Sequence, residues 1–144
     1  MTGDRFDILL VEDNSADVYL FRKALTGAGL NYELTVFEDG GAAMAFIRGE
    51  HQYAAKPVPD IALLDLSLPK NDGLQVLEAL RRSERFANMP VIIASSSARP
   101  PAPLPESLRV TRYIMKPPDL EDFLQIGSVV KEILLEHQAR GAGH

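Results

Sequence analysis

Cysteine is absent from the 144 residues. That removes disulfides, thiolate chemistry and cysteine-ligated zinc together. No run of lysine and arginine appears, so the composition offers no footprint for nucleic acid. No apolar stretch approaches the length that crosses a bilayer. The N-terminal MTGDRFD is polar and acidic, and the ILLV after it is too short for a secretory signal. A cytoplasmic location fits these absences. What remains is an ordinary soluble composition, 46% hydrophobic and 24% charged, with 20 acids against 15 bases and a net charge of −5. A chain of this length can bury one sizeable core, so one domain over residues 1–144 is expected, with its core at about 6–138.

Short apolar runs alternate with amphipathic ones. FDILLVED, YELTVFE, PDIALLD, MPVIIASS and TRYIMK read as strands. Between them, SADVYLFRKALTGAG reads as a helix capped by Asn14 or Ser15, with Val18, Phe21 and Leu25 on one face and a Gly27/Gly29 stop. GGAAMAFIRGE predicts a second helix with Ala43, Phe46 and Ile47 inward, and LQVLEALRRS a third. DLEDFLQIGSVVKEILLEHQ predicts one long last helix. Continuous apolar strands separated by helices imply a doubly wound five-stranded parallel sheet covered on both faces. Such sheets bind ligands at the carboxyl ends of their strands, where the strand order reverses.

Polar residues stand at those ends. Glu12 and Asp13 end the first strand, Asp65 the third, Ser95 the fourth and Lys116 the fifth. Carboxylates gathered this closely repel one another unless a cation intervenes. Magnesium suits them, because it takes oxygen ligands and keeps several waters. Asp13, Asp65 and the backbone carbonyl of Ser67 are the expected ligands, with Glu12 acting through water. Lys116 adds a compact positive charge and Ser95 a hydroxyl. Together they form a cradle for a phosphoryl group, with Asp65 as the nucleophile that would become an aspartyl phosphate. No general base is evident, which suits a switch better than rapid turnover.

ILLVEDN, LLDLSLPKNDG, PVIIASS and YIMKPP, in this order, resemble the receiver domain of two-component response regulators. The resemblance spans residues 6–138 and implies a flavodoxin-like (βα)5 fold. Position by position it implies that Asp65 is the phosphoacceptor and that Glu12 and Asp13 form the acidic metal pair. It makes Ser95 and Tyr113 the switch residues, Lys116 the family lysine, and the Lys116–Pro117 peptide cis. LLVEDNSADVYLFRKAL with DLSLPKNDGLQVLEALR is similar, more narrowly, to the small regulators paired with phytochrome-type sensor kinases. The implied donor is a sensor histidine kinase, and no segment after residue 138 has the length of an output domain.

The chain departs from that pattern between Ser95 and Lys116. Receivers carry a helix there; here SARPPAPLPESLRVTR places Pro100, Pro101, Pro103 and Pro105 in the way. An extended stretch is expected over residues 99–105, followed by a short helical turn near Glu106–Val110. In the last helix, Leu120, Phe123, Leu124, Val130, Ile133 and Leu134 form a core stripe. Ile126, Val129 and Leu135 lie off it and suggest a homodimer seam. His51, His137 and His144 read as surface residues. Two rivals stand beside the switch. An aspartate-nucleophile phosphatase would place an acid two residues after Asp65, where Ser67 stands. A pseudo-receiver would keep the fold as a binding module without phosphorylation.

Overall fold

A computed structural model describes residues 5–50, 53, 56–68, 72–96 and 103–142. Five strands form one parallel sheet: β1 (Phe6–Val11), β2 (Tyr32–Phe37), β3 (Ile61–Leu64), β4 (Val91–Ser95) and β5 (Arg112–Met115). Their order is β2-β1-β3-β4-β5, and every pairing is parallel. The chain therefore moves outward from β1 to β2, then returns to the other side of β1 with β3. The reversal lies between β1 and β3, and both strands end in the acids picked out above.

The side chains of each strand divide between two cores. On one face Leu9, Val11, Ala62, Leu64, Val91 and Ile93 pack against α2 (Gly40–Ile47) and α3 (Asp72–Arg82). On the other, Ile8, Leu10, Ile61, Leu63, Ile92 and Ala94 meet α1 (Ser15–Gly27), α4 (Leu120–Leu124) and α5 (Ile126–Ala142). Strands β3 and β4 are buried along their whole lengths. This is why they read as unbroken apolar runs rather than as alternating ones.

Asn14 caps α1, its side chain accepting from the amides of Ala16 and Asp17. Val18 is half-buried and Phe21 and Leu25 are fully buried on the predicted face. In α2, Ala43, Phe46 and Ile47 point inward as the pattern requires.

The long last helix is two helices. It is interrupted at Gln125, between α4 and α5, yet the buried Phe123, Ile126, Val130, Ile133 and Leu134 keep one helical spacing across the interruption. Ile126 belongs to that stripe and is buried (3% exposed), Val129 is half-buried, and Leu120 is 53% exposed rather than part of it. Of the expected seam, Leu135 alone is exposed. Close approach of α5 to α1 accompanies the break. A Cβ on Gly127 would collide with the carbonyl of Ala24, so only glycine lets the two backbones meet there.

Where receivers carry a helix between the last two strands, residues 103–105 have no regular structure and Glu106–Leu108 form a single 3-10 turn. That short turn matches the reading of the proline-rich sequence; Pro100 and Pro101 lie outside the described residues. Leu108 fills the core, and Leu104, Val110 and Tyr113 pack on its edge. Arg81, at the end of α3, fastens this segment. Its guanidinium donates to the carbonyls of Leu108 (2.7 Å), Arg109 (3.0 Å), Phe86 (3.3 Å), Ala87 (3.2 Å) and Met89 (2.8 Å). Burial, then the nearby charge of Arg109, lowers the Arg81 pKa.

No cis peptide bond occurs among the described residues, so Lys116–Pro117 is trans where the resemblance implied cis. Trans is the lower-energy form of an X–Pro bond by about 0.5–1 kcal/mol.

Candidate functional site

Each strand delivers its polar residue as its apolar run ends. Glu12 follows Val11, and its amide pairs with the carbonyl of Phe37 (2.9 Å). Asp65 follows Leu64, and its amide pairs with the carbonyl of Val11 (3.1 Å). Ser95 closes β4, and the amide of Lys116 donates to its carbonyl (2.6 Å). The sheet's own hydrogen bonds thus carry Glu12, Asp65, Ser95 and Lys116 to one edge. Glu12, Asp65 and Ser95 are the buried polar residues of the described core. Asp13, the next residue after Glu12, points to solvent.

Lys116 is the centre of the arrangement. Its Nζ donates to Glu12 Oε1 (2.6 Å), Asp17 Oδ2 (2.8 Å) and Asp65 Oδ2 (3.2 Å). Burial by itself would lower the Lys116 pKa. The hydrogen bonds it donates to Asp17 and Glu12 and the charges of Glu12 and Asp65 outweigh it, leaving the ammonium above its ordinary range. Glu12 is raised as well, which for a carboxyl group disfavours the charged form. Burial pushes it up from 4.5 to about 7, Lys116 opposes the rise and Asp65 adds to it. One ammonium cannot neutralise this many carboxylates in a water-poor setting.

The remaining Asp65 oxygen is also engaged. Oδ1 accepts the amide of Ser67 (2.8 Å), a short loop closure that orients the carboxylate. The Ser67 hydroxyl lies 3.1 Å from that of Ser95, bridging the ends of β3 and β4. Ser95 is buried and Ser96 is exposed, so the register selects Ser95 from the SSS run. Gly73, in the first turn of α3, lets this loop sit tightly. A Cβ there would collide with the carbonyl oxygen of Asp65 and lie 2.8 Å from the Cα of Leu66. Tyr113 stands at half-burial on the α2–α3 side of β5.

A hard divalent cation fits this edge. Glu12, Asp13 and Asp65 each present a carboxylate oxygen within 4.8 Å of the others. Such a mixture of buried and exposed oxygens suits an ion that keeps several waters. The structure also brings in a residue that the motifs did not single out. Asp17 lies in the first turn of α1, four residues after Asp13 and three after the N-cap Asn14, and that closeness to the acidic pair was the available signal. In the sequence it reads simply as an acid favoured in a first turn. His137 is exposed, and His51 and His144 lie outside the described residues.

Residues 8–127 match the family model of the response regulator receiver domain. Response regulator Rcp1 of Synechocystis sp. is 34% identical over 130 residues, which cover 90% of this chain and 88% of Rcp1. A structure of Rcp1 in its Mn(2+)-bound form superposes with a TM-score of 0.79 at 33% identity, covering 91% of this chain and 95% of that one. The probable methanogenesis regulatory protein FilR2 of Methanothrix harundinacea is 36% identical over 138 residues, covering 92% of this chain and 85% of FilR2. The structure of the phosphorylated cyanobacterial phytochrome response regulator RcpA has a TM-score of 0.79 at 35% identity, covering 92% of this chain and 95% of that one. Among the described residues, no helix is long and apolar enough to cross a membrane.

Proposed function

The chain belongs to the response regulator receiver domain family, and from that premise we propose that Asp65 accepts a phosphoryl group from a sensor histidine kinase. The observation that carries this reading is the state of Asp65. It is buried at the switch point of the sheet, held through Oδ1 by the Ser67 amide and through Oδ2 by Lys116. A carboxylate oxygen of Asp65 forms a bond to phosphorus while the phosphorus–nitrogen bond of the donor phosphohistidine breaks. The electron pair leaves with the imidazole, and Asp65 becomes an acyl phosphate.

Lys116 and the Ser95 hydroxyl stand ready to donate to phosphoryl oxygens. Asp13, Asp65 and the Ser67 carbonyl would hold magnesium, with Glu12 supporting it through water; when bound, the ion supplies charge neutralisation for the phosphoryl group. Ser67 fills the position where a phosphatase would carry an acid, and its hydroxyl is already committed to Ser95. A slowly lost phosphoryl group suits that arrangement better than turnover does. Transfer of the Ser95 hydroxyl from Ser67 to the phosphoryl group would pull on the end of β4, and Tyr113 on the neighbouring strand would follow. We infer that the result is a changed affinity for the kinase, or for a second copy of the chain. The likeness to Rcp1 and RcpA supports a phytochrome-type kinase as the donor.

Incubation with acetyl phosphate and magnesium, read by intact mass and light scattering, tests this. One phosphoryl group gained by the wild type and none by Asp65→Asn is the expected result. A wild type that binds magnesium and gains nothing would make the chain a pseudo-receiver.

A further inference from the structure

Lys116 has three N–H donors and three carboxylate acceptors: Glu12, Asp17 and Asp65. The donor now on Asp65 Oδ2 passes to the phosphoryl group when that carboxylate becomes an acyl phosphate, and the other two stay on Glu12 and Asp17. Placing a phosphoryl group on Asp65 replaces one negative charge there with about two. Lys116 can turn a second donor to that added charge only by giving up Glu12 or Asp17. The three partners differ in what release would cost them. The side chains of Glu12 and Asp65 are 1% and 4% exposed, whereas that of Asp17 is 21% exposed. A carboxylate already touching water is rehydrated at the smallest penalty, whereas a buried one left unpaired is strongly disfavoured.

We propose that Asp17 is a latch on Lys116, a positioning residue that holds the ammonium in the unphosphorylated protein and surrenders it when Asp65 is phosphorylated. The proposal rests on the phosphoryl-transfer reading above. Asp17 also connects the site to a helix. It lies in the first turn of α1, where Asn14 accepts its amide at 3.2 Å, and the Asn14 amide in turn donates to Glu12 Oε2 at 3.2 Å. Two links therefore join the site to the start of α1, one through Asn14 and one through Asp17. Release of Lys116 removes the second. The first turn of α1, with the exposed Tyr19 and its neighbour Lys23 beyond it, then registers the state of Asp65.

The test compares wild type, Asp17→Asn and Asp17→Glu. With acetyl phosphate and magnesium, an Asp65 oxygen bonds to phosphorus, the bond to acetate breaks, and acetate leaves with the electron pair. Asp17→Asn keeps the side chain's size but removes the competing charge. It should raise the phosphorylation rate roughly three- to tenfold and lengthen the phosphoryl lifetime, an effect of the size expected for one partly screened charge. Asp17→Glu keeps the charge and should behave like the wild type. A merely structural Asp17 would show the reverse, with slower phosphorylation and a lowered melting temperature in Asp17→Asn.

A second readout needs no phosphoryl transfer. Reductive methylation followed by peptide mass mapping reports how firmly the Lys116 amine is held. Faster methylation of Lys116 in Asp17→Asn supports the latch; an unchanged rate overturns it. If the wild type gains no phosphoryl group while Lys116 still loosens in Asp17→Asn, the receiver reading fails and the Asp17 contact stands. An unchanged or slower phosphorylation of Asp17→Asn by a competent wild type overturns the latch alone.

Discussion

Glu12 shows how far one position can depart from its composition. As an isolated residue it is an acid that ionises near 4.5; against Lys116 and Asp65, below the sheet edge, burial moves it to about 7. The folded protein therefore holds a proton on Glu12 more tightly than the unfolded chain does. This residue's contribution to stability is complete below pH 4.5 and is lost as the pH rises towards 7, at up to about 1.4 kcal/mol per pH unit without metal. Magnesium binding needs the ionised carboxylate and must displace that proton. The magnesium dissociation constant should accordingly rise about tenfold per pH unit below 7, and Glu12→Gln should flatten the slope. Calorimetric titrations at pH 6, 7 and 8 would show it, and a wild-type slope equal to that of Glu12→Gln would refute the assignment.

At the scale of elements, the segment between β4 and β5 departs from the family pattern. Among its described residues the usual helix is reduced to the Glu106–Leu108 turn, and Arg81 supplies an alternative hold by gathering five carbonyls around one planar fork. A lysine would present three donors from a single point and could not span them. Arg81→Lys should cost about 2 kcal/mol of stability, as expected when several charge-assisted bonds to partly buried carbonyls are lost. A thermal melt would report it, and a variant as stable as the wild type would show the clamp to be dispensable. The composition hides this device, because Arg81 reads there as the ordinary cation of a helix's last turn. The break at Gln125 was equally hidden. The stripe chosen from the sequence put Leu120 inward and Ile126 outward; the face that docks on the sheet runs through Phe123, Ile126 and Val130 and leaves Leu120 exposed.

At the scale of the molecule, two cores share one sheet. Phe86 belongs to the α2–α3 side and Phe123 to the α1–α5 side, and both are fully buried. Neither layer has a partner other than the strands. Loss of one layer strips a face from β1, β3 and β4 and leaves the other without support. Phe86→Ala and Phe123→Ala should each lower the stability of a single transition, by about 3–5 kcal/mol. Denaturant unfolding followed by far-UV circular dichroism and by tyrosine fluorescence would check this. Separate midpoints for the two probes would show that the layers unfold independently.

The sequence by itself determined the parallel sheet, because buried strands must be apolar throughout. It also placed Glu12, Asp13, Asp65, Ser95 and Lys116 at one edge, because each directly follows or ends such a run. Both are local patterns, readable within a few residues. The tertiary structure decided what depends on partners distant in the chain. Asp17 reaches Lys116 across 99 positions. Arg81 finds carbonyls on two separate loops, and Gly127 admits the backbone of α1. Such contacts follow from how the elements dock, and docking leaves no period in the sequence.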